Sequence, residues 1–136
     1  MLELSQPALS TAGIAVLAAT TVTSGGYFMT RVVTARVPAT PFQRSFFRAG
    51  HAHAGVFIIL GLVCLLLTEA TSLTGPWQWL ARTGALVAAI LMPAGFFFSA
   101  MGRGREQPNR FVLLLPVGAV FLIGGLVTLG VGLLAA

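Results

Sequence analysis

Apolar residues in this chain fall into four long runs, separated by short segments that hold most of the charge and the turn-forming residues. The runs cover roughly residues 7–30, 46–68, 77–101 and 110–134. Each approaches or exceeds the ~20 residues a helix needs to cross a hydrocarbon core about 30 Å thick. The other membrane architecture, a closed barrel, reads as alternating strands of about ten residues. These runs are continuous and longer. The pattern therefore predicts an all-α, integral membrane four-helix bundle forming a single domain.

Local signals sharpen the boundaries. Thr40-Pro41-Phe42-Gln43 is a capping box with proline at the first helical position, so the second helix starts before its apolar run and continues through Arg48 and His51 to about Thr68. Thr74-Gly75-Pro76-Trp77 opens the third helix in the same way, and that helix ends near Met101, before Gly102-Arg103-Gly104-Arg105. Pro108-Asn109 opens the fourth. Pro93 and Pro116 lie inside the third and fourth runs and are expected to bend them. The first run is rich in Ala, Thr, Ser and Gly and poor in Leu, which predicts a place inside the bundle. Gly118, Gly124, Gly125, Gly130 and Gly132 smooth the fourth helix and offer a packing face for a helix, lipid or second protomer.

Charge then gives orientation. Of 136 residues, 57% are hydrophobic and 8% charged, against about a quarter charged in soluble domains, so the solvent of this chain is the bilayer. All the basic residues are arginine. Arg31, Arg36, Arg44 and Arg48 lie in or beside the first connection, and Arg103, Arg105 and Arg110 belong to the third. Only Arg82 falls towards the opposite side, near Glu69. This asymmetry predicts cytoplasmic first and third loops, both termini non-cytoplasmic, and an inner (plasma) membrane location. Trp77 and Trp79 suit the aromatic belt of an interface. The N-terminus lacks a basic region before its apolar run, so the first span is expected to be retained. The arginines flank spans instead of forming a stripe with aromatics, which points to lipid phosphates and away from nucleic acid. Cys64, the single cysteine, sits in an apolar run as a packing residue. The two halves share a helix–basic loop–helix pattern in the same orientation, so they are not an inverted repeat.

The candidate chemistry is a pair of histidines, His51 and His53, the only ones in the chain, placed just inside the edge of the hydrocarbon. An ionisable ring at that depth is costly enough to raise a functional hypothesis. Two residues apart, the rings point about 200° from each other around an unbroken helix, so they cannot share one metal ion. Gly50, Ala54 and Gly61 form a small stripe between the two directions. Tyr27 and Met29 at the end of the first span, and Ser99 and Met101 at the end of the third, share the depth of the histidines, with Phe96, Phe97 and Phe98 beside them. A histidine opposite a methionine can hold a haem iron, with phenylalanine against the porphyrin faces. His and Met also suit a soft metal such as copper, and one histidine from each of two protomers could meet across a two-fold axis. Alternatively, each imidazole simply hydrogen-bonds a hydroxyl such as that of Tyr27 or Ser99 and locks the bundle. No carboxylate lies deep in a span, and no nucleophile–base pair, phosphate loop or His-Glu zinc motif occurs. The chain is therefore expected to be non-catalytic.

The run Gly50-His51-Ala52-His53-Ala54-Gly55-Val56 resembles the His-Ala-His segments in subunit I of haem-copper oxidases and nitric oxide reductases, where a membrane-helix histidine ligates haem. The whole chain is also similar to small four-span bacterial membrane proteins carrying this motif. Those subunits have many more spans and further ligand histidines that are missing here. What the resemblance implies is a haem ligand, haem b for instance, at His51 or His53, and not oxygen or nitric oxide chemistry. Three functions remain open from the sequence: an accessory protein holding haem or copper at the histidines, a small transporter or channel with a histidine gate, and a purely structural subunit. In each case a homo-oligomer or a larger membrane complex is expected.

Overall fold

A computed structural model of the chain describes residues 3–136. The described residues form four helices and no strand: α1 Gln6–Val33, α2 Pro41–Thr68, α3 Gly75–Ala100, and a one-turn 3-10 helix Arg110–Leu113 that runs into α4, Leu114–Leu134. All four are long and apolar enough to cross a membrane, which makes this a multi-pass membrane protein.

The second helix begins as its capping box dictates. The Gln43 backbone N–H donates to Thr40 Oγ1, and the Thr40 N–H donates to Gln43 Oε1, both at 3.1 Å. The same Gln43 side chain, buried, then donates to the carbonyls of Ala100 (2.9 Å) and Gly102 (2.6 Å). It thereby satisfies carbonyls that the end of α3 leaves without donors. Asn109 ties α4 to the same place. Its N–H donates to the Ser99 carbonyl, its Nδ2 to the Phe98 carbonyl, and its Oδ1 accepts from the Phe111 N–H. The third helix differs from its expected start: Thr74 makes no side-chain cap, and the chain enters through Gly75 at φ +60°. Pro116 is not in the interior of its helix. It sits in the first turn of α4, where a missing N–H costs nothing, and the 3-10 turn precedes it. Pro93 does lie inside α3.

Packing is strongest between α2 and α3 and between α3 and α4, while α1 rests chiefly on α2. The α3–α4 crossing depends on two glycines. A Cβ at Gly84 would lie 2.6 Å from the Phe121 carbonyl oxygen and 2.9 Å from Gly125 Cα, so only bare backbone fits. The α4 glycines at seven-residue spacing, Gly118, Gly125 and Gly132, face Met92, Gly84 and Leu73 of this same chain. The smooth face of α4 is thus largely used within the bundle. The first helix is a correction to expectation. It is the least buried of the four, with Ile14, Val16 and Leu17 exposed. Its small side chains give it a thin profile, but α2 and α3 already fill each other's faces. α1 is left on the outside, and a gap opens between α1 and α3.

The end opposite the arginine-rich loops is held by a polar knot. Glu69, just past α2, accepts from Arg82 Nη2 of α3 at 2.6 Å and from the Ser5 N–H ahead of α1 at 2.8 Å. The side chains of Arg82 and Glu69 are only 10% and 6% exposed, so this pair is covered and not the open surface link that sequence spacing allows. Burial pushes the Glu69 carboxyl up. The Ser5 and Arg82 hydrogen bonds, with the Arg82 charge, outweigh that and hold it below its ordinary value.

Candidate functional site

The two histidines diverge, as two-residue spacing on a continuous helix requires. His53 turns towards α3. Its ring lies 4.9 Å from Phe96 and 5.2 Å from Phe57, centroid to centroid. Its Nδ1 is 2.7 Å from the Ala49 carbonyl. A carbonyl only accepts, so Nδ1 carries the proton in this arrangement. His53 is a packed ring with a local partner.

His51 turns towards α1 and lies against Gly25 and Gly26. A Cβ at Gly25 would come 3.2 Å from His51 Nδ1, and one at Gly26 would come 3.7 Å from Nε2. The glycine pair is what lets the imidazole fit beneath the first helix. Among the described residues no hydrogen bond reaches a ring nitrogen of His51, which is half-buried and faces the groove.

His51 also forms one end of the gap between α1 and α3. That gap is a groove of about 480 Å³, walled by α1 from Thr11 to Gly25 and by α3 from Thr83 to Phe97, with Ala54 and Ile58 of α2 as its floor. Both walls run fifteen residues, or about 21 Å end to end at the helical rise. The average cross-section is then about 23 Å², room for roughly one file of carbon atoms at van der Waals contact. The hydroxyls of Thr11, Thr21 and Thr83 donate to the carbonyls of Pro7, Ala18 and Trp79 in their own helices. Those threonines therefore present little unsatisfied polarity to the groove. Pro93, on the wall, supplies no N–H to the Ala89 carbonyl one turn earlier.

The other residues at this depth do not converge on a histidine. Met29 is buried in a cluster with Val32, Phe47 and Ala100. Tyr27 is 69% exposed and Met101 57% exposed. Ser99 is buried, and its hydroxyl donates to the Phe96 carbonyl at 3.2 Å. Neither Tyr27 nor Ser99 hydrogen-bonds a histidine, and neither methionine is assembled opposite His51. Among the described residues, no group of three or more His, Cys, Asp or Glu side chains forms a metal-ligating cluster. Gly50, by contrast, has an evident packing role: a Cβ there would lie 2.9 Å from the Phe97 ring.

Sequence reasoning did not single out Gly25, Gly26 or the α1–α3 groove. Two adjacent glycines at the depth of a lone imidazole were the available signal. No protein-family model, curated protein or solved structure matches the chain. Function is therefore read from geometry and chemistry.

Proposed function

We propose that the protein is a non-catalytic membrane protein that holds a lipophilic ligand in the α1–α3 groove, with His51 as its one polar or coordinating contact. The observation that carries this reading is an imidazole without a protein partner at the end of an apolar groove of ligand size. A ring nitrogen in such surroundings is costly to leave idle. The narrow, elongated shape favours a ligand with an extended apolar part over a compact one.

Haem b is the cofactor form of this proposal. Of the residues present, His51 would hold its iron and the apolar walls would face the ring, but a groove about one carbon file wide admits a porphyrin only if α1 moves away from α3. Bound, it would supply a redox-active or gas-binding iron. A second axial ligand from Met29 or Met101 would need a rearrangement, and copper shared by His51 and His53 would need a second copy of the chain, because the rings diverge. We place the arginine-rich end in the cytoplasm and both termini outside, in the inner (plasma) membrane, on the positive-inside asymmetry. A homo-oligomer or docking on a larger membrane complex would cover the exposed α1 face.

The test is the absorption spectrum, metal content and extractable small molecules of gently solubilised protein. Wild type and His53→Ala should carry the same ligand, and His51→Ala should lose most of it. A ligand retained equally by His51→Ala would remove the proposal. A Soret band tied to His51 would select haem b among lipophilic ligands.

A further inference from the structure

A second site lies on the other side of α1, and it meets the groove at His51, Val22 and Ile58. Arg44, Arg48, His51, Gly55 and Ile59 follow one another at three- and four-residue spacing, so they form one stripe along α2. Two clefts follow this stripe against α1. The upper, of about 550 Å³, is lined by Arg44, Ser45 and Arg48 with Val32 and Val33. The lower, of about 410 Å³, lies between Gly26, Val22 and Ala19 of α1 and His51, Gly55 and Ile59 of α2. The seam therefore passes from two exposed guanidiniums and a hydroxyl to an apolar crease.

Those guanidiniums have no acidic partner. The ion pair among the described residues is Glu69–Arg82, at the far end of the bundle. Glu106, the carboxylate on the arginine-rich side, lies in the α3–α4 loop and pairs with neither arginine. Two unpaired cations above a lipid-deep crease are complementary to one kind of molecule, an anion attached to a hydrocarbon chain. A zwitterionic headgroup gains less from them, and a free anion makes no use of the crease.

We propose that the α1–α2 seam seats an anionic phospholipid, its phosphate on Arg44, Arg48 and Ser45 and one acyl chain along Gly26, Gly55 and Ile59. Phosphate at a pair of arginines is a charge-assisted, forked interaction. The two glycines keep the crease open: a Cβ at Gly55 would be 3.9 Å from Val22, so a larger side chain there occupies the space of the chain.

The experiment is native mass spectrometry of the full chain in detergent, titrated with an anionic phospholipid, with a zwitterionic one of the same chains, and with inorganic phosphate. Wild type should prefer the anionic lipid by roughly thirty-fold, as two basic residues near a membrane surface supply. Arg44→Gln/Arg48→Gln should reduce that preference to under about threefold, and each single variant should lose about fivefold, which covers the case of a double variant that does not fold. Gly55→Leu should weaken both lipids. Ala89→Leu, which fills the groove from its α3 wall and lines neither cleft, should keep the preference, which separates this seat from the ligand groove. An unchanged preference in the arginine variants would overturn the proposal. So would wild type that does not discriminate, or inorganic phosphate that alone displaces the lipid.

Discussion

Removing the Glu69 carboxylate is the perturbation whose size follows most directly from the structure. Glu69→Ala would leave Arg82 without its acceptor and free the Ser5 N–H that leads into α1. Arg82 Nε already lacks a partner, so nothing in the site is positioned to replace the lost oxygen. An exposed pair would be worth less than about 1 kcal/mol, whereas stripping one partner from a fully buried pair costs about 3–5 kcal/mol. This pair is covered by side chains, yet lies at the end of α2, close to the water boundary. An intermediate loss of about 2 kcal/mol is expected. Glu69→Gln keeps an acceptor oxygen for one donor and should lose about half as much. The sign of the pH dependence is fixed by the lowered carboxyl value. The stabilisation is fully present above the unfolded-state value, about 4.3, and is lost as pH falls through the lower folded-state value. Thermal unfolding of detergent-solubilised protein between pH 3 and 8 would measure both effects. Wild type should lose the Glu69 contribution only below about pH 4, and Glu69→Gln should not show that acid step. If Glu69→Ala melts with wild type at pH 7, or the acid step persists in Glu69→Gln, the knot does not hold the helix ends together as argued.

Three other outcomes follow. Gly25→Val places a branched side chain where a Cβ alone would be 3.2 Å from His51 Nδ1. It should abolish ligand retention while leaving helix content unchanged by circular dichroism. Gly84→Ala brings a methyl group within 2.6 Å of the Phe121 carbonyl oxygen. It should cost about 1–3 kcal/mol as an overpacking change, read as a lowered melting temperature. Gln43→Ala removes half of the capping box and two donors to the end of α3. A loss of about 2 kcal/mol and faster backbone hydrogen exchange from Ala100 to Gly102 are expected.

Much of the fold was legible because its signals are local. The length of each apolar run sets a helix, and Thr40-Pro41-Phe42-Gln43 sets a helix start without reference to the rest of the chain. What sequence could not give was which faces meet. The position of α1 depends on how well α2 and α3 fill each other, and small residues are compatible with a buried helix or with an outer one. Pro116 read as an interior proline because the 3-10 turn before it carries no sequence mark of its own. Glu69 and Arg82 were readable as neighbours at the end opposite the other arginines. Their burial was not, because it depends on the chain around Ser5 closing over them. At the histidines, spacing sufficed to show that the rings part. It could not show that His51 falls against Gly25 and Gly26, a contact between residues some twenty-five positions apart.

The groove at His51 is tested most directly by an experimental density map of the protein extracted with its native lipids. An elongated non-protein feature between α1 and α3, about 21 Å long and touching the His51 ring, is the result this account predicts. A map in which α1 has closed onto α3, or in which His51 points to an acceptor of its own chain, would contradict it.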